Sequence, residues 1–452
     1  MIPRVIPGKQ LRILLYSKNI LRKVIYLTFM DQEDPPRRNA MEDIYVVGVG
    51  MTPFGRHLDK DIKALTREAT AAALADAGLE KEDLEAAFFG NTSQGHMDGQ
   101  HMIRGQIALR AMGIGRIPVV NVENACASGS SAFVLACNHL KSGAGDVALA
   151  VGAEKMFSSD KLKMFSVFDS AWDLSRAEEI RGELMKMGRD VAVPEGSTSP
   201  RPYSVFMDVY AAFARSHMRT FGTTQRQLAA VSSKNHAHSM HNPLSQYRMA
   251  YSVEEVLAAP PITYPLTLPM CSPVSDGAAA AIICTRSALM RLNIDEKRAI
   301  KVLAAVVQSG SDRSEDDYTN HCTALASRRA YELAGVGPAD ISVAEVHDAT
   351  AMGEIIQTEN LGFCEFGMGG VIAERGDTRI GGRIPVNPSG GLESKGHPVG
   401  ATGIAQVHEL VTQLRGEAGL RQVTDARIAL AENGGGLEGI EEAVACITIL
   451  AR

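Results

Sequence analysis

The chain has 452 residues, 45% of them hydrophobic and 22% charged, with a formal net charge of -6. That is enough apolar material for two core-forming domains, and the mildly acidic balance, with no basic tract interleaved with aromatics, argues against nucleic-acid binding. The seven cysteines are odd in number and never in a CxxC or Cys/His spacing, which excludes a disulfide framework and a zinc site and points to a reducing, cytoplasmic compartment.

The first forty residues mix Arg4, Lys9, Arg12, Lys18, Arg22 and Lys23 with apolar residues and end in the polar run Asp31 to Arg38. No apolar run there is long enough to span a bilayer, and the unbroken apolar centre of a signal peptide is missing. Residues 1–42 are read as an extension, disordered or upstream of the true start at Met30 or Met41, with an Arg-rich targeting peptide as the weaker alternative.

Periodic sequence opens on a strand, Ile44 to Gly50, followed by an amphipathic helix, Leu65 to Asp76, that Gly78 stops. A short acidic turn leads into a strand ending at Phe89. The same order returns in the second half: a helix from Ala324 to Leu333, Gly335 as its stop, an acidic turn, and a strand ending at Val346. Each half then adds a second unit. In the first, the β-rich run Ile117 to Val122 breaks at Cys126, with a helix from Ser131 to Lys141 and a strand from Asp146 to Val151. In the second, Gly396-His397-Pro398 precedes a helix, Ala401 to Arg415, and a strand, Arg427 to Ala431, and Val444 to Leu450 is the last strand. The pattern predicts an α/β protein of two duplicated βαβ-containing domains, its mixed sheets packed in five layers, α/β/α/β/α. Apolar runs such as Ala278 to Cys284 mark strands covered on both faces.

Between Phe157 and Pro269 the periodicity weakens, apart from a helix expected over Tyr203 to Phe221. This segment reads as an inserted lid that shapes a substrate tunnel. The domain boundaries that follow are 43–165 with 270–297 for the N-terminal domain, 166–269 for the lid and 298–452 for the C-terminal domain.

Three motifs lie where strands end, the place α/β folds reserve for their sites. Cys126 stands at a helix N-terminus, where unpaired amides and the helix dipole favour the thiolate. His347 lies in Glu345-Val346-His347-Asp348-Ala349-Thr350, directly after the repeat strand. His397 is thrown forward by the glycine-rich stretch Asn387 to Gly403, which also carries Ser389 and Gly390. Taken singly, the thiol reads as a buried structural cysteine and each histidine as a core or capping residue.

Taken together with the terminal loop Glu432-Asn433-Gly434-Gly435-Gly436, these segments resemble the thiolase superfamily from about Ile44 to Leu450. The His347-Asp348 pair, with Lys234-Asn235-His236 and Asn242-Pro243, is similar to its sterol carrier protein 2 type. The resemblance implies an acyl-CoA C-acyltransferase, working by thiolysis of a 3-oxoacyl-CoA or the reverse Claisen condensation. It implies Cys126 as nucleophile, His397 as its base and then an enolate donor, and His347 as a second donor. The amides of Cys126 and of Gly434 or its neighbour Gly435 would form an oxyanion hole, with Asn433 orienting the loop. Coenzyme A is implied as substrate, with no metal and no tightly bound cofactor; Lys234, Arg248, Ser389 and Gly390 are its candidate binding residues. A homodimer through the nucleophile-bearing domain and a small zinc-ribbon/OB-fold partner protein belong to the same implication.

The family's second, acid/base cysteine is missing: Glu432 and Ala349 occupy its two usual positions, and Cys364 matches a position not expected to be catalytic. Glu432 is expected to take the role, its pKa raised by burial beside the tunnel. The alternatives are a ketoacyl synthase or non-CoA acyltransferase using Cys126, His347 and His397, an aldol lyase, and a lipid-carrier or scaffold subunit with weak catalysis.

Overall fold

The duplication is present in four strands of each half. The computed structural model describes residues 42–452, so the extension reading falls, but for Glu42, outside the described residues. The strands are β1 (Ile44–Met51), β2 (Ala86–Gly90), β3 (Val119–Val122), β4 (Val147–Glu154), the small hairpin β5 (Pro261–Thr263) and β6 (Leu266–Thr267), β7 (Gly277–Thr285), β8 (Ile300–Ser309), β9 (Val343–Glu345), β10 (Ile428–Gly435) and β11 (Val444–Ala451). Nine of them form one sheet in the order β3-β2-β4-β7-β1-β8-β11-β10-β9. In the first half β2 is parallel to β4, β4 antiparallel to β7 and β7 antiparallel to β1. In the second half β9 is parallel to β10, β10 antiparallel to β11 and β11 antiparallel to β8. The halves therefore repeat one order and one set of directions. Even β3 has a trace of a counterpart, an isolated parallel bridge from Val386 to Ala344 beside β9.

The sheets of the two halves are joined, because β1 and β8 pair at Tyr45↔Lys301 and Val46↔Ile300. Layering follows from what each face buries. Helix Ile62–Ala77 covers the outer face of the first half, starting where Asp61 accepts the Ala64 N–H and ending at Gly78 with φ 66°. Helix Cys322–Ala334 covers the outer face of the second half. Between the halves lie helices Ser128–Lys141 and Thr402–Arg415, and Phe133, Leu140, Ile404 and Leu410 pack there against the inner faces of both. Every residue of β4 and β7 is buried, as their unbroken apolar sequence requires.

The segment read as a lid is mostly helical. Helices Val205–Phe221 and Gln225–Ser239 share a core with helix Ala351–Asn360 through Tyr210, Leu228, Val231 and Ile355. Among the described residues no helix is long and apolar enough to cross a membrane.

The central helices approach the first half so closely that only glycine fits. A Cβ on Gly152 of β4 would stand 2.0 Å from the Gly400 carbonyl oxygen, and one on Gly129 would stand 2.6 Å from the same atom. This seam fixes the chain just after His397 against the chain just after Cys126. Gly152→Ala is expected to lower stability by about 1–3 kcal/mol, the range for overpacking. Gly182→Ala, in helix Ala177–Met187 with nothing within 4 Å of its Cβ, is expected to be neutral or to gain up to about 1 kcal/mol. Denaturant midpoints measured on the two variants check the contrast.

Candidate active site

Cys126 sits on a tight turn between β3 and helix Ser128–Lys141, preceded by Ala125 at φ 47°, a left-handed conformation that non-glycine residues rarely adopt. His347 follows β9, and His397 lies between the short helix Gly391–Lys395 and helix Thr402–Arg415, its N–H donating to Ser275 Oγ at 3.0 Å. The cysteine sulfur and one ring nitrogen of each histidine lie within 4.8 Å of one another. The imidazole centroids are 5.2 Å apart with the rings nearly perpendicular, at 87°. All three residues line a cavity of about 920 Å³, together with Gly434, Gly435 and Gly436.

The two imidazoles carry their protons on opposite nitrogens. Thr402 Oγ1 donates to the Pro398 carbonyl at 3.3 Å and lies 2.7 Å from His397 Nδ1, so it accepts the Nδ1 proton. That leaves Nε2 of His397 as a bare lone pair, and this nitrogen has no partner. Asn433 is held the other way: its Oδ1 accepts from Ser130 Oγ at 2.6 Å, so its Nδ2 donates to His347 Nδ1 at 2.8 Å. His347 therefore keeps its proton on Nε2 as a donor. Burial holds His347 at about 4, and burial, His347 and Lys395 hold His397 well below the ordinary histidine value, so both rings are neutral.

The expected preformed thiolate is corrected by the structure. Burial first, then the charge of Glu154, pushes the Cys126 thiol up to about 12, against a lowering contact from the Gly436 N–H. Desolvation outweighs the helix end, and the thiol is neutral at rest. The glycine that contacts the sulfur is Gly436, next to the expected Gly434 and Gly435.

Glu432 is corrected too. The terminal glycine-rich stretch is the end of β10, with Glu432 opposite Ile447 and Asn433 opposite Cys446. Successive strand residues point to opposite faces, so Asn433 turns to Ser130 and His347 while Glu432 turns the other way. Its Oε2 accepts the His347 backbone N–H at 2.8 Å, and it does not line the cavity. Burial and the neighbouring Glu442 raise its pKa, as expected, but it positions His347 and does not reach the cavity.

The four residues expected to bind the cofactor lie elsewhere. Lys234 is fully buried, paired with Glu354 at 2.6 Å and donating to the Val386 carbonyl at 2.8 Å. Ser389 gives its hydroxyl to Glu345 at 2.6 Å, and Gly390 packs on Ser239 with φ 106°. Arg248 is exposed and bonds the Met240 carbonyl at 3.3 Å. None of them lines the cavity. Its cations are Arg56, Lys161 and Arg201, all exposed, the first two stacked over Phe157. Sequence reading also missed Tyr210, Cys271, Glu393 and Glu442 on the cavity wall. Their only signal in the sequence is a polar or reactive residue in an apolar run, such as the Glu441-Glu442 pair before β11.

A thiolase N-terminal domain model matches residues 44–250, and a thiolase C-terminal domain-like model matches residues 304–450. The chain belongs to the thiolase family. It is 40% identical to the acetyl-CoA acetyltransferase of Methanothermobacter thermautotrophicus over 400 residues, 88% of this chain and 98% of that protein. It is 38% identical to sterol carrier protein 2 of Bos taurus over 408 residues, 88% of this chain and 71% of that one. The Ltp2-ChsH2(DUF35) aldolase shares the fold, with a TM-score of 0.70 over 90% of this chain and 98% of that one at 22% identity. This thiolase is an acyltransferase.

Thr402→Val removes the acceptor that fixes the His397 tautomer. Acylation of Cys126 is expected to slow about tenfold, the equivalent of one net hydrogen bond. Single-turnover mass spectrometry measures the rate, and an unchanged rate would show that Thr402 does not set the tautomer.

Proposed function

We propose that this thiolase transfers acyl groups between coenzyme A thioesters, cleaving a 3-oxoacyl-CoA with free CoA or running the reverse Claisen condensation. The observation that carries the reading is the facing of a neutral thiol by a bare imidazole nitrogen, with a second imidazole N–H beside them, on the wall of one cavity. His397 Nε2 takes the thiol proton as Cys126 attacks the carbonyl, so sulfur becomes nucleophilic only when the substrate is in place. The oxyanion of the tetrahedral adduct forms next to the Gly436 N–H, and the enolate oxygen next to His347 Nε2–H. Each such donor contributes on the order of 3 kcal/mol to the transition state.

Coenzyme A suits the cavity by its two chemistries. The walls are largely apolar, with Phe157, Phe165, Phe168, Phe206 and Met207, and they take the acyl part, while Arg56, Lys161 and Arg201 suit the phosphates. Seven free cysteines support a reducing, cytoplasmic setting.

The homodimer is built through the free edge of the sheet. Among the described residues strand β3 is an unpaired edge with Val120 41% exposed, and Met102 and Ile103 stand exposed beside it, at the start of the helix whose Gly105 N–H bonds Asn121. The opposite edge, β9, is fully buried. Exposed edge strands are ready-made pairing templates. A small zinc-ribbon/OB-fold partner belongs to the same reading, supported by the two-component name of the aldolase of like fold.

Incubation with acetyl-CoA or a 3-oxoacyl-CoA is expected to give a Cys126 acyl adduct in the intact mass, lost in Cys126→Ser; an adduct that persists in the variant would overturn the nucleophile. Products formed from acetyl-CoA, malonyl-CoA, and 3-oxoacyl-CoA with free CoA separate thiolysis from decarboxylating condensation. Val120→Glu is expected to convert dimer to monomer by light scattering, and an unchanged mass would rule out the β3 edge.

A further inference from the structure

We propose that Glu442 is the acid/base of this reaction, giving a proton to the α-carbon and taking one from the incoming thiol in place of the absent second cysteine. The assignment rests on the acyl-transfer reading above. Glu442 lies just before β11 and lines the same cavity as Cys126, His347 and His397. Its side chain lies over the end of β10: a Cβ on Gly434 would stand 2.7 Å from Glu442 Cγ and 3.3 Å from Oε1. Two residues on, the Gly436 N–H reaches the Cys126 thiol. Glu442 thus packs on the face of β10 that Glu432 shares, and it meets the cavity where that glycine stretch reaches the thiol.

The donors to the carboxyl are neutral, the Gln357 amide and, at 4.0 Å, the Cys322 thiol, and the charges near it are Glu441, which raises its pKa, and Arg313, which lowers it. Gln357 Nε2 donates to Oε1 at 2.7 Å, and His321 Nε2 lies 3.2 Å from Oε2. His321 Nδ1 accepts from the Thr323 N–H and from Asn360 Nδ2, both at 3.2 Å, so its proton is on Nε2, the nitrogen nearer Glu442. Burial, with Arg313 nearby, pushes His321 down to about 3, so the contact is the approach of a neutral ring to the carboxyl rather than an ion pair. A carboxylate fixed by neutral donors is oriented without being locked into its charged form. Burial first, and then the charge of Glu441, raises Glu442 to about 7, where both protonation states are populated at neutral pH.

The other wall groups lack that balance. Glu393 is raised well above the ordinary range by burial and by Asp348. The Cys271 thiol donates to the Thr267 carbonyl at 3.6 Å and is raised by burial and by Glu393.

In the cleavage direction the step balances as follows. Cys126 sulfur bonds the 3-carbonyl carbon, its proton passing to His397 Nε2, and the adduct collapses by breaking the C2–C3 bond. That electron pair becomes the enolate of the departing thioester, and protonated Glu442 delivers a proton to C2. Glu442 carboxylate then takes the proton of the incoming CoA thiol, whose sulfur bonds the acyl carbon, while Cys126 leaves and recovers its proton from His397. No electrons are gained or lost overall.

The test is exchange of the acetyl-CoA α-protons in deuterated buffer, with acetylation of Cys126 measured in parallel. Glu442→Gln keeps the shape and an oxygen that accepts from Gln357; it is expected to cut exchange about a hundredfold or more while Cys126 is still acetylated. The wild-type exchange rate is expected to rise with pH through a midpoint near 7, a midpoint missing from the variant, and Glu442→Asp should restore part of the rate. Wild-type exchange in Glu442→Gln, a midpoint that survives in it, or loss of exchange only in step with acetylation would overturn the assignment. So would loss of exchange in Cys271→Ser with exchange retained in Glu442→Gln. A wild-type protein that takes no acyl group onto Cys126 overturns the parent reading and this one with it, whereas an acylated wild type with an exchanging Glu442→Gln overturns this one alone.

Discussion

The site depends on the burial of the Cys126 thiol and of the His347 and His397 imidazoles. Burial disfavours every ionised form there, so the thiol keeps its proton and both imidazoles stay neutral. A preformed thiolate–imidazolium pair would place two charges in a poorly solvated pocket, where desolvation opposes their attraction. In the proposed reaction the proton therefore moves as the sulfur attacks. That mechanism requires one imidazole with an empty Nε2 and one with an Nε2 proton, and the structure sets the two with different partners, Thr402 for His397 and Asn433 for His347.

The duplicated fold places these groups. Cys126 and His397 occupy equivalent positions in the repeat, each just ahead of the central helix of its half, Ser128–Lys141 and Thr402–Arg415. In the proposed reaction one copy supplies the nucleophile and the other the base. The Gly400 carbonyl lodged against Gly129 and Gly152 brings the two helix starts together. Glu154 reinforces that junction, accepting from the amides of Thr92, Ser93 and Gly400. Fold stability and catalytic geometry thus share one set of close contacts.

Much of this was legible in the sequence, because repeat order, glycine stops and the Cys126, His347 and His397 segments are local patterns. Helix Leu65 to Asp76 was recognisable from period and stop, and the 16-residue helix Ile62–Ala77 extends it by three residues toward the Asp61 cap and by one at its end. Glu432 misled because a run of glycines reads as a loop, whereas hydrogen bonding to β11 carries β10 through Gly435 and fixes which way each side chain points. Lys234 misled because a lysine in a polar helix reads as exposed, and only the packing of Gln225–Ser239 against the second half pairs it with Glu354. Glu442, Tyr210 and Cys271 come together only in three dimensions, so no spacing in the chain announces them.

The most direct test of the central claim is the ultraviolet thiolate absorbance of the resting protein, titrated against pH and taken as the difference between wild type and Cys126→Ser. A neutral site predicts no Cys126 thiolate signal at neutral pH, with ionisation only toward about 12. A thiolate already present at neutral pH, titrating below the ordinary cysteine value, would contradict the account.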